Sequence, residues 1–132
     1  MASITVDEAV KEIGELLAAT QDRRQMLRKI GKLLQQSTRL RFETERDPDR
    51  KRWIPSLRAI REGNRTLTDE GTLRRSISFT SDNNEVNVGT DVPYGKDHQF
   101  GRRNLPTRRF LGLSLEDRRK ILQLIEQELE FD

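Results

Sequence analysis

Met26, Leu27, Ile30, Leu33, Leu34, Leu40 and Phe42 recur at the three- and four-residue spacing of one helix face between residues 22 and 43. Asp22, followed three positions later by Gln25, marks where that helix starts. A helix of about 22 residues is about 33 Å long, and one whole side of it must be covered. Only 33% of the chain is apolar and 36% is charged, so there is little other apolar material from which to build a separate core. The chain is therefore expected to fold as a single domain, residues 1–132, organised around this helix.

The cover is legible in outline. Thr5 and Glu8 have the spacing of a capping box before Val10, Ile13, Leu16 and Leu17, which predicts a helix near 6–19. Ser114 and Asp117 repeat that signal before Leu115, Ile121, Leu122, Leu124, Ile125 and Leu129, predicting a last helix from about 115 to 130. Its early basic residues, Arg118 to Lys120, and late acidic ones, Glu126 to Asp132, oppose the helix dipole. Between these regions Ile77 and Phe79, then Val86 and Val88, alternate with polar residues around the turn signal Asp82-Asn83-Asn84. This is a hairpin over 76–89 with one buried face. Two strands alone are marginal in water, so a further strand and the helices must complete them. The expected class is α+β: a small antiparallel sheet packed against long N-terminal helices and a C-terminal helix. Residues 1–44 form the helical region, 45–52 an exposed, mobile loop, and 53–132 the α+β core. Trp53 closes the loop as a core or interface anchor.

Charge and composition narrow the function. The sequence has no cysteine, which removes disulfides and thiolate metal sites, and its single histidine could supply only a minority of a metal shell. No segment has the length and apolarity of a membrane span, and the N-terminus lacks the basic-then-apolar build of a signal peptide, so no membrane partner is expected. The best base or nucleophile candidate, His98 beside Asp97 and near Tyr94 and Ser114, lies in no catalytic motif. Neither an enzyme, a small-molecule substrate nor a cofactor is expected. The net charge of +3 conceals alternating zones: acidic over 1–21, basic over 22–65, acidic over 66–94, basic over 95–109 and acidic over 113–132. Zones of both signs suit head-to-tail contact between copies at least as well as nucleic acid.

The densest chemistry lies in "PYGKDHQFGRRNLPTRRFLGLS", residues 93–114. From Gly101 to Gly112 it forms an extended loop without a secondary-structure pattern, a length that in small domains usually carries function. Arg102, Arg103, Arg108, Arg109, Phe110 and Leu111 have the arginine-plus-aromatic make-up of a protein interface. The expectation is that these arginines and Phe110 insert into a neighbouring subunit, with acidic faces of the next copy receiving them. The alternative is a basic accessory protein that binds nucleic acid non-specifically, with Phe110 stacking on a base.

Taken in order, Trp53, "DEGTLRRSI" at 69–77, "VGT" at 88–90, "YGKDHQFG" at 94–101 and "LPTRRFLGLS" at 105–114 before a final helix resemble the Mu-like phage virion morphogenesis family, the tail completion proteins. The resemblance covers residues 53–130 and runs through Trp53, Tyr94, His98, Gln99, Phe100 and Gly101 as structural motif residues. Arg109 departs from it, standing where the family commonly has proline. The resemblance implies a non-enzymatic protein of the virion neck or tail, made in the host cytoplasm, that joins head to tail as a homo-oligomeric ring with a hexamer expected. Neighbouring head-completion and tail-terminator or tail-tube proteins are the implied partners, with non-specific contact to packaged DNA beside them. A capsid-assembly factor is the alternative within morphogenesis.

Overall fold

The computed structural model describes residues 2–5, 22–68, 70–83 and 85–130, with side chains described from residue 22 to 128 within those ranges. The helix expected near 6–19 lies outside them. In chain order the elements are β1 (Ala2–Thr5), α1 (Arg23–Thr44), α2 (Leu57–Glu62), α3 (Thr72–Ser76), β2 (Ser78–Ser81), β3 (Val86–Thr90), α4 (Gly95–Phe100) and α5 (Leu115–Glu130).

Helix α1 starts where the sequence predicts, with Asp22 Oδ1 accepting from the Gln25 N–H at 3.1 Å. It ends on Glu45, whose left-handed backbone (φ 56°) lets its N–H reach Arg41 O. Met26, Leu27, Ile30, Leu34 and Phe42 are fully buried on its inner side. Leu40 is not part of that face and is exposed, because the helical repeat rotates it away from the buried positions at 34, 38 and 41.

The inner side of α1 lies on an antiparallel sheet of order β1-β3-β2, in which β3 is central. The predicted hairpin is present, with Phe79 opposite Val88 and Ser81 opposite Val86. The further strand is β1, in register from Ala2 opposite Thr90 to Thr5 opposite Asn87. Sheet and helix meet closely at Gly31, where a Cβ would overlap the Phe79 ring. Absence of a side chain there is what lets the ring approach the helix so closely. Helix α5 covers the remaining flank through Ile121 and Ile125. Its late acidic residues are partly answered across the gap, where Lys29 Nζ lies 3.9 Å from Glu128.

Residues 45–52 are exposed in part, but they form a fixed turn rather than an open loop. Arg46 and Arg52 bridge, Asp47 N–H donates to Lys51 O, and Asp47 Oδ1 accepts from the N–H groups of Asp49 and Lys51 at 2.8 and 2.9 Å. Pro48 is buried and packs against Gly112. An aspartate that satisfies its own turn explains this, since Asp side chains bond the backbone two residues on. Trp53, as expected, is an anchor: its ring meets Phe42 edge-on at 5.5 Å.

Candidate protein-protein interface

Helix α4 and the segment that follows it hold the residues in which the sequence concentrates its chemistry. Tyr94 precedes the helix, and Gly101 ends it in the left-handed conformation (φ 66°), where a Cβ would run into Thr107. The chain then turns through Arg103 and Asn104, both also left-handed at φ 56° and 63°. A left-handed arginine is costly without a surrounding structure that enforces it. Here Arg102 N–H donates to Asp97 O at 2.9 Å and Leu105 N–H to Arg102 O at 3.1 Å, which fixes the tip.

From Thr107 onward the chain comes back across the molecule, and side chains, together with the His98 carbonyl, satisfy its backbone in place of a partner strand. Gln99 is the centre of this arrangement. Its Oε1 accepts from both Phe110 N–H and Leu111 N–H at 3.0 Å, and its Nε2 donates to Leu111 O at 3.1 Å. Trp53 Nε1 donates to Arg109 O at 2.9 Å, Arg41 Nη1 to Phe110 O at 2.7 Å, and Arg108 N–H to His98 O at 2.7 Å. A buried polar backbone needs such partners, and they come from α4, from α1 and from Trp53.

This geometry divides the predicted interface residues. Arg108, Phe110 and Leu111 do not face a neighbour: all three are buried, Phe110 completely, in the same core as Phe42 and Trp53. Arg108 Nε is committed to Ile54 O at 2.7 Å, and burial pulls the Arg108 guanidinium pKa below its ordinary value. The apolar end of the loop was the strongest core signal in that part of the sequence, and intramolecular burial claims it first. Arg109 lies half-buried against the 45–52 turn, 3.2 Å from Asp49. What remains outward is the tip. The Phe100 ring is 57% exposed with the Arg102 guanidinium 5.1 Å from its centre, and the Arg103 side chain is 84% exposed beside Asp97 at 3.7 Å. Leu105 completes the surface.

His98 lies behind this tip, with the Tyr94 ring edge-on at 6.2 Å. Its imidazole pKa is lowered, chiefly by burial and then by the Arg108 charge, with Asp97 opposing. Its buried Nδ1 has no hydrogen-bond partner among the described residues. Among the described residues no cluster of three or more His, Asp or Glu side chains could hold a metal ion, and no helix is long and apolar enough to cross a membrane.

Sequence reasoning missed the pair that clamps the segment from below. Arg41 and Asp117 are both buried, 2.6 Å apart. Asp117 also accepts from Ser37 Oγ and from Ser114 N–H, so one carboxylate joins α1 to the start of α5. Burial lowers the Arg41 pKa while Asp117 acts to raise it. The available signal was an arginine interrupting an apolar stripe one residue before Phe42.

The sequence profile of the phage virion morphogenesis family matches residues 4–130. The chain belongs to that family. The match extends beyond the 53–130 region of motif resemblance to include the end of β1 and helix α1. The chain is also similar to Mu-like prophage FluMu G protein 2 of Haemophilus influenzae, 32% identical over 126 residues that span 90% of this chain and 87% of that protein. No solved structure matches it. Family membership gives the chain a role in phage virion assembly.

Proposed function

We propose that this virion assembly role is structural: the protein completes the tail and joins it to the head at the virion neck, as a ring of identical copies. The observation that carries this reading is the tip of residues 100–105. Phe100, Arg102, Arg103 and Leu105 project from a turn that is hydrogen-bonded on both sides and braced by a core segment. An exposed aromatic with arginines on a rigid support is the composition of an interface hot spot and carries no catalytic group. Family membership and the similarity to a Mu-like prophage protein support a place among phage structural components. Head-completion and tail-terminator or tail-tube proteins are the neighbours such a tip would meet.

Electron microscopy of particles from a phage or prophage with the gene deleted tests the reading. DNA-filled heads beside unattached tails are expected. Absent or malformed heads would replace it with capsid assembly, and normal infectious particles would overturn it. Non-specific nucleic-acid binding is disfavoured by the fate of the loop arginines, because Arg108 is buried and Arg109 is held at Asp49, leaving two of the four for phosphate.

A further inference from the structure

Two arginines are buried, and among the described residues only one has a counter-charge. Arg41 is 6% exposed and is matched by Asp117 at 2.6 Å, whereas Arg108, 5% exposed, makes no ion pair among the described residues. Its Nε donates to Ile54 O at 2.7 Å, and its Nη1 and Nη2 make no hydrogen bond among those residues. A buried cation is costly unless an anion answers it. The guanidinium lies beneath the outer surface but lines a cavity of about 300 Å³ between α2, α3 and α4. Leu67 and Leu73 give this cavity apolar walls, and Tyr94 and His98 form its α4 side. Arg58 lines it as well, but is engaged by Asn64 Oδ1 at 2.6 Å and Arg65 O at 3.1 Å. Glu70 is the one carboxylate among the described lining residues, and it is exposed.

Two unengaged nitrogens on one planar guanidinium match the two oxygens of a carboxylate. The leucine walls suit the methylene stem that carries such a group in aspartate or glutamate. A nucleic-acid phosphate fits less well. It brings further phosphates with it, which need an exposed row of cations, and Glu70 would oppose each of them.

The rim assigns the carboxylate to a protein. Helix α2, which contributes Arg58 to the cavity, leaves Leu57 and Ile60 outward at 82% and 67% exposure. Ile54, whose carbonyl holds Arg108, is 60% exposed. Three large aliphatic side chains within one short segment exceed the scattered single exposures of an ordinary surface. A free solute in the cavity would leave them in water, whereas a protein surface laid over them would bury them and shut water out around the charged anchor. We infer that the Arg108 cavity is a socket for an aspartate or glutamate side chain of a neighbouring virion protein, whose apolar surface covers Ile54, Leu57 and Ile60. The socket goes beyond the neck reading: it uses other residues than the tip and rests only on the role of the family in virion assembly.

His98 is the single histidine of the chain and lines the cavity, so its Cε1–H resonance reports binding there. The probe is glutamate blocked at both backbone ends, titrated into the full-length protein at constant ionic strength, with blocked glutamine as the neutral control. The acid should shift the resonance saturably in the millimolar range, and the amide should not. Arg108→Gln should weaken binding at least about tenfold. Glu70→Gln, at an exposed position, should tighten it about two- to threefold. Thr72→Glu sets a carboxylate on the lining at the first position of α3; it should melt like wild type and weaken binding at least about tenfold. These last two variants carry the test if Arg108→Gln does not fold, and unchanged affinity in both would overturn the inference. So would a shift that never saturates, a shift reproduced by the amide, or tighter binding of inorganic phosphate than of the acid. Thr72→Glu also tests the source of the carboxylate. Supplied to a deletion phage, it should yield no infectious particles. Normal particles from a variant that has lost probe binding would remove the neighbouring protein from the cavity and overturn the inference, while leaving the neck reading untouched.

Discussion

Gln99 carries more of the structure than its place in a polar motif suggests. One amide satisfies two N–H groups and a carbonyl of the buried 110–111 backbone, a match that depends on having both an acceptor and a donor. Gln99→Glu keeps the acceptor but loses the donor to Leu111 O and buries a charge; we expect a loss of about 2–4 kcal/mol in urea unfolding, more than an exposed Gln to Glu change would give. The Arg41–Asp117 pair obeys a related logic. Asp117→Ala leaves a buried guanidinium without its counter-charge and should cost about 3–5 kcal/mol, whereas adding Arg41→Met to it should recover part of that loss. Equal stability of single and double variants would show that the charge is not what matters there. His98 supplies a pH signature. Its folded pKa is below the ordinary 6.5, so the unfolded chain takes up the proton first as pH falls. Stability from this group is complete above about pH 6.5 and is lost as pH drops from there to the folded value. His98→Gln should therefore shrink the difference in melting temperature between about pH 7.5 and pH 5.5.

At the scale of elements, α1, the β2–β3 hairpin and α5 were legible because each is written as a periodic apolar pattern with a start signal. Asp22 and Ser114 are capping residues in fact as in pattern. The short elements were not. Helix α4 is six residues long with glycine at its first position, and its stability comes from Gln99 and Gly95 packing on the core, which no local pattern displays. β1 reads as a four-residue approach to a helix until β3 is there to pair with it. The interface residues divided for the same reason: Phe110 and Leu111 look identical in sequence whether they meet a neighbour or their own core. One contact between elements makes a sharp prediction. In an open helix Gly31→Ala would stabilise by about 0.5–1 kcal/mol, but its Cβ overlaps the Phe79 ring, and overpacking costs about 1–3 kcal/mol. Net destabilisation is expected in thermal melts. In a Phe79→Leu background the same substitution should become neutral or stabilising, since the obstructing ring is gone.

For the whole molecule the decisive contrast is between arginines that hold the fold and arginines that face outward. Arg41 and Arg108 bind carbonyls inside, and Arg74 reaches Glu43 at 2.6 Å across α3 and α1. Arg102 and Arg103 do neither: one lies over Phe100 and the other stands in solvent near Asp97. Exposed pairs of that kind contribute little to stability, so reversing both charges leaves the core untouched. Arg102→Glu with Arg103→Glu should therefore melt within a degree or two of wild type. If the tip is the docking surface, the same variant should fail to restore infectious particles to a deletion phage, because the altered charges would meet a partner surface already selected for cations. A matched control, Arg118→Glu with Arg119→Glu on α5, changes net charge equally at another exposed site and should complement. Failure of both would point to net charge as the cause, and success of the Arg102 and Arg103 variant would remove the tip from the assembly contact.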